Sequence, residues 1–187
     1  MRLVLVTFLL FSIGFAANAD VKLNNNSATV SDFSYISLSG VFGEIYASDV
    51  SDTITITSSG QANKVQVTSF SVNGQSSNMT PDHTNDHLTI SVAGKYLATL
   101  SVSLSSTGGT AYVVGFSLYK NNGGTEFPNV HANRNLAGAG GDTGSMSMSG
   151  IIDLAVNDTI ELWCWNETNT NNIVIQDVTL SLIYVGD

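Results

Sequence analysis

The chain has 187 residues with six Lys and Arg against fifteen Asp and Glu, a formal charge of −9 at pH 7. That sign argues against nucleic acid and anionic lipid as partners, because both are bound by positive surfaces. Only 11% of the residues are charged, so the surface falls to Ser, Thr, Asn and Gly, a composition typical of extracellular β-proteins and poor in helix formers.

Residues 1–19 read as an export signal. Arg2 supplies the positive end, Leu3 to Phe15 is apolar apart from Thr7, Ser12 and Gly14, and Ala17-Asn18-Ala19 is a small-x-small cleavage site. The apolar run is too short for a membrane-spanning helix, which needs ~20 residues, and it has no stop-transfer flank. Residues 20–40 are polar, with Asn24, Asn25 and Asn26 in a row, and read as a leader or stalk ahead of a domain over 41–187. The expected location is secreted or on a virion surface, with no membrane insertion after cleavage.

From Val41 onward, short apolar runs recur between turn signals. They cover Val41 to Ala47, Thr53 to Thr57, Lys64 to Phe70, His87 to Val92, Lys95 to Ser105, Ala111 to Lys120, Met146 to Val156, Thr159 to Trp165 and Asn172 to Val185. Nothing after the leader has the period of a long amphipathic helix, so the expected fold is all-β, a two-sheet sandwich or jelly roll. Asn121-Asn122-Gly123-Gly124 supplies residues tolerant of positive φ between two runs. The Gly-rich stretch from Ala137 to Gly144 lacks the Gly-Lys-Ser/Thr ending of a phosphate loop and reads as a surface loop.

The densest pattern is Ser145 to Trp165. Two period-two runs flank Asn157-Asp158, which predicts an antiparallel pair of strands with a tight connection. Ile160, Leu162 and Cys164 fall on one face of the second strand, and Glu161, Trp163 and Trp165 on the other. Both faces call for burial, and a sister chain is the simplest cover for the tryptophans. Cys164 is the single cysteine, so no intrachain disulfide is available and a large β core must hold the fold. Its place between two tryptophans suits an inert buried thiol.

Ala93-Gly94-Lys95-Tyr96-Leu97-Ala98-Thr99-Leu100-Ser101-Val102-Ser103 is similar to the Pro-Gly-x-Tyr-x-Phe strand of the complement C1q globular head, part of the C1q/TNF-like superfamily. Leu118-Tyr119-Lys120-Asn121-Asn122-Gly123 resembles its Leu-x-Lys-Asn-Gly turn, Gly150 to Leu162 its Gly-x-x-x-Leu-x-Leu-x-x-Gly-Asp-x-Val-x-Leu block, and Val178 to Val185 its closing strand. Asn157 replaces the usual Gly before the Asp, and no collagen repeat precedes the domain. The resemblance implies a jelly roll of about ten strands, homotrimeric about a threefold axis, that binds or scaffolds and has no enzymatic activity. In that arrangement Tyr96, Trp163 and Tyr184 lie on neighbouring strands of one sheet. With Trp165, they form the expected trimer interface.

The expected role is a non-enzymatic extracellular or particle-surface protein that attaches to a protein or glycan on a cell or particle. Two alternatives stand beside it: a virion decoration or fibre-head protein of a phage, and a lectin-like or carbohydrate-active module using exposed Trp. No Gly-x-Ser-x-Gly elbow occurs. Asp153, Asp158 and Glu161 each have a simpler role as turn or surface residues than as paired glycosidase carboxylates.

Pro81-Asp82-His83-Thr84-Asn85-Asp86-His87 is the densest set of potential metal ligands. In a loop, Asp82 and Asp86 with the Asn85 carbonyl suit Ca²⁺, and His83 and His87 a transition metal. The Pro81 start and the strand beginning at His87 make the segment a loop, and the favoured competing reading is a solvated turn whose Asp side chains bond the backbone. No other cofactor is implied. Sequons stand at Asn25, Asn78, Asn157 and Asn166, candidate glycosylation sites in a eukaryotic secretory setting.

Overall fold

The computed structural model describes residues 40–138 and 141–187. The signal, leader and Asn25 expectations lie outside the described residues. Among the described residues twelve strands form: β1 Phe42–Ala47, β2 Asp52–Ile54, β3 Val65–Gln66, β4 Val72–Ser77, β5 Met79–Asp82, β6 His87–Ile90, β7 Gly94–Ser106, β8 Tyr112–Lys120, β9 Thr125–Leu136, β10 Thr143–Leu154, β11 Thr159–Asn166 and β12 Ile173–Gly186. A short 3-10 turn spans Gln61–Asn63.

The strands make two antiparallel sheets. The first runs β10-β7-β12-β1-β4, with β2 pairing β12 beyond the end of β1; the second runs β5-β6-β11-β8-β9, with β3 pairing β11. This is the expected two-sheet jelly roll. The count exceeds ten because β2 and β3 are fragments of three and two residues.

Period two explains the core. Along β7, Tyr96, Ala98, Leu100, Val102 and Leu104 are buried in alternation, and Leu180 and Leu182 of β12 join them. Val114, Phe116 and Leu118 of β8 and Ile160, Leu162 and Cys164 of β11 meet them from the second sheet. Each Val, Leu, Ile or Phe so buried contributes about 1.5–3 kcal/mol. Burial pushes the Cys164 thiol well up, which keeps it protonated and inert.

The pairing expected between 145–156 and 159–165 does not form. β10 pairs β7 in the first sheet, whereas β11 pairs β6, β8 and β3 in the second. The Asn157-Asp158 turn is a step between layers, not a hairpin. Asn157 adopts φ 70°, the left-handed conformation that Asn tolerates, and its N–H bonds the Ile90 carbonyl at 2.8 Å. Asp158 accepts from the Lys120 ammonium at 2.9 Å, the Asn121 amide at 2.8 Å and the Ala155 N–H at 3.0 Å. Burial works against its charge, yet these donors outweigh it and hold the carboxyl below its ordinary range.

The open edges of the two sheets meet along one side. Asn129 of β9 donates to the Ile151 carbonyl at 2.8 Å and Arg134 to the Ser145 carbonyl at 3.2 Å, so side chains replace the ladder between β9 and β10.

Candidate assembly surface

The outer face of the second sheet carries the tryptophans, and its own chain covers them. Trp165 is fully buried. It lies across Gly115, meets the His131 ring edge-on with centroids 5.2 Å apart, and donates its indole N–H to Glu167. Trp163 is half-buried against Gly123 and the Tyr119 ring, with centroids 6.1 Å apart. The Lys64 ammonium stands 4.7 Å from the Tyr119 centroid and 5.4 Å from that of Trp163. Glu161 sits buried beneath them. Its two oxygens accept from the Asn122 and Gly123 N–H groups at 2.9 and 3.0 Å, the Thr159 hydroxyl at 2.6 Å and the Trp163 indole at 3.3 Å.

The expected interface is therefore corrected on two counts. Trp163 and Trp165 lie in the opposite sheet from Tyr96 and Tyr184. Tyr96 is fully buried on the core side, its hydroxyl donating to the Val92 carbonyl at 2.6 Å, and burial raises its pKa. Tyr184 packs edge-on against it at 5.5 Å and bonds Asp187 at 2.7 Å, a bond that raises the pKa of its phenol. Trp165 and Tyr96 have no free surface to offer a sister chain. Trp163 lies under Lys64, so the exposed stacking platform of a lectin is not presented either.

The residues 82–87 do not converge. Asp82 accepts from the Thr84 and Asn85 N–H groups at 3.0 and 3.2 Å and from the Asn85 amide at 2.7 Å; the Asn85 amide above all holds its carboxyl below the ordinary range. His87 stands 4.0 Å from it. Asp86 turns the other way, with φ 57°, and accepts from the Phe70 N–H at 3.2 Å. His83 bonds Asn73. Among the described residues no group of three or more His, Cys, Asp or Glu is arranged to hold a metal ion. Asp82 is taken up by the turn itself and Asp86 by the Phe70 backbone, so the two carboxylates do not face a common point.

Of the sequons, Asn78 and Asn157 are exposed, but Asn166 is fully buried. Its side-chain nitrogen donates to Asn169 and to the Asn171 carbonyl at 2.8 and 3.0 Å, so the folded chain withholds the atom a glycan would need. His131 has both ring nitrogens near acceptors, Glu126 and Asn133, each at 3.2 Å. Buried Ser117 opposite it bonds backbone carbonyls, so these residues form no nucleophile–base pair.

The outer face of the first sheet is different. One transverse row is apolar across four strands: Phe42 pairs Ile183, Ile183 pairs Leu97, and Leu97 pairs Ile151. Ile151 is 56% exposed, and Ile183 and Val185 are each 51% exposed. The next rows are polar, with Ser149, Thr99, Ser181 and Glu44, then Ser147, Ser101, Thr179 and Tyr46. A shallow depression of about 460 Å³ lies over these rows, lined by Thr99, Ser101, Ser147, Ser149 and Thr179 together with Leu100 and Met148. Sequence reasoning passed over this row, although Leu97, Ile151 and Ile183 each occupy the polar phase of a Ser/Thr-rich alternation.

Among the described residues no helix is long and apolar enough to cross a membrane. No protein-family model and no curated protein sequence matches the chain. Solved structures do match it in shape. One is the structure of Eiger TNF from S. frugiperda, at 9% identity and a TM-score of 0.59, covering 79% of this chain and 94% of that one. Another is murine APRIL crystallised at pH 5.0, at 13% identity and a TM-score of 0.51, covering 77% of this chain and 99% of that one. At such identities the likeness speaks for the fold alone: the chain is a TNF-like jelly roll.

Proposed function

We propose that the protein is a non-enzymatic binding and scaffolding module that works as a homotrimer outside the cell or on a particle surface, attaching to a protein or glycan there. The observation that carries this is the apolar row on the outer face of the first sheet. Ile151 and Ile183, each more than half exposed, align with Leu97 and Phe42, and Val185 adds a third exposed aliphatic further along β12, an apolar surface of the kind a soluble monomer avoids. Covering the exposed half of each contributes on the order of 1 kcal/mol, repeated at every interface of a closed ring. The reading of residues 1–19 as an export signal supports the location, and the TNF-like fold agrees with a ligand-type role.

Sedimentation equilibrium of the chain from Asp20 tests it. The expected mass is three chains, falling to one in Ile183→Asp, a surface change that leaves the core intact. A single-chain mass for the unsubstituted protein at micromolar concentration overturns the reading.

A further inference from the structure

We infer that Tyr119 and Trp163 form a binding site for an alkylammonium cation, and that Lys64 is its built-in occupant, displaced when an outside cation arrives. The site goes beyond the trimeric reading and does not depend on it, since it lies on the sheet opposite the apolar row. Tyr119 and Trp163 stand on adjacent strands, β8 and β11, and their ring planes meet at 62°. The Lys64 ammonium occupies that corner, 4.7 Å from one centroid and 5.4 Å from the other, both within the ~6 Å reach of a cation over an aromatic face. Two rings at such an angle enclose a compact cation, whereas a sugar ring stacks on one flat plate.

The surroundings favour positive charge. Glu161 accepts the Trp163 indole N–H at 3.3 Å, and a carboxylate on that N–H polarises the ring so that its face becomes more negative. Glu126 is the cross-strand partner of Tyr119. Lys64 itself reports what the corner prefers. The chain has fifteen Asp and Glu, yet among the described residues none forms an ion pair with Lys64, and its ammonium rests on the two rings instead. Its anchorage is slight. Lys64 follows the 3-10 turn Gln61–Asn63, which has no buried residue, and precedes β3, whose two residues pair β11 alone. A flexible lysine stem on such a segment leaves the corner without disturbing the core. Exchange puts one cation where another was. A methylated ammonium is less strongly hydrated than the Lys64 ammonium, so it gives up less on leaving water and has the advantage over the internal lysine. A phosphate tied close to the cation would face Glu126 and Glu161 and be repelled. The ligand class is therefore an amine or lysine-type side chain without an adjacent anion, rather than a phosphocholine headgroup.

The experiment titrates choline into the chain from Asp20 and into its Lys64→Ala variant, with sodium chloride holding the ionic strength constant. Saturation transfer from the protein to the choline methyl protons, read by NMR, reports binding without needing an indole signal. Saturable binding is expected in both chains, ~2–5-fold tighter in Lys64→Ala, the factor that removal of a competing surface cation–π contact gives. Dimethylbutanol, the uncharged isostere of choline, should not saturate, and phosphocholine should bind more weakly than choline. Trp163→Leu in the Lys64→Ala background should lose the signal. Absence of saturable choline binding in Lys64→Ala overturns the site, as does equal binding of dimethylbutanol, which would make it merely apolar. Choline binding that survives in Trp163→Leu places the cation elsewhere and overturns it too. Equal affinity with and without Lys64 overturns its role as occupant, and phosphocholine binding as tightly as choline overturns the ligand class.

Discussion

Trp165 on β11 lies across Gly115, its registered partner on β8, so closely that a Cβ on the glycine would overlap two carbons of the indole. The same Cβ would come within 2.7 Å of the Asn133 amide oxygen. Gly115 is therefore a packing requirement set by the ring, and its backbone has no need of positive φ. Gly115→Ala is expected to lower the unfolding free energy by about 1–3 kcal/mol, the usual cost of overpacking, in a urea titration. Unchanged stability would mean that the indole can shift away freely.

Glu161 organises the adjoining turn. Asn121, Asn122 and Gly123 all have positive φ, an expensive run for residues other than Gly, and the carboxylate secures it through the Asn122 and Gly123 N–H groups. Glu161→Gln turns an amide group toward donors and removes the charge. A loss of about 2–4 kcal/mol is expected in the same titration. A loss below ~1 kcal/mol would show that the turn holds itself.

The inner strands were legible from alternation because both of their neighbours are strands and their apolar phase meets the core. β4, β5 and β9 were not, and all three are edge strands. Pro81 and Pro128 sit in two of them, residues that a central strand excludes and an edge accepts, and Gly74 weakens the strand pattern of the third, so local pattern marks these segments as loops. Period two correctly separated Trp163 and Trp165 from the core face of β11, but it carries no information on what covers the outward side. The cover comes from Lys64 and His131, distant in sequence. The apolar row is harder still to read, since each strand contributes one residue and register alone brings them together.

Trp163→Ala distinguishes the two faces. The substitution removes a half-buried ring from beneath Lys64 and from the edge of Tyr119, and a loss of about 1–3 kcal/mol in stability is expected, less than for a fully buried Trp. The oligomeric mass should be that of the unsubstituted chain, because the apolar row lies on the opposite sheet. A drop in mass without a drop in stability, measured by sedimentation and urea unfolding, would return the interface to the tryptophans.

Asp86 makes stability depend on pH in a direction opposite to that of most carboxylates. Burial raises its pKa from 3.8 to about 6; the Phe70 N–H and the charge of His83 act against the rise, and the charges of Asp52 and Asp82 add to it. The folded chain keeps a proton between those values that the unfolded chain has released, so this contribution is complete below about pH 4 and is lost as the pH climbs through 6. The full shift corresponds to a ceiling of about 3 kcal/mol, and solvent at the edge of the core reduces it to ~1–2 kcal/mol. Asp86→Asn retains an oxygen for the Phe70 N–H and tolerates the φ of 57°. The variant is expected to exceed the unsubstituted chain in stability by ~1–2 kcal/mol at pH 7, with the gap closing toward pH 4. Taking the difference between the two chains cancels the opposite acid dependence of Asp82 and Asp158. A difference that stays constant from pH 4 to pH 7 in urea titrations would show that Asp86 titrates at the same pH folded and unfolded.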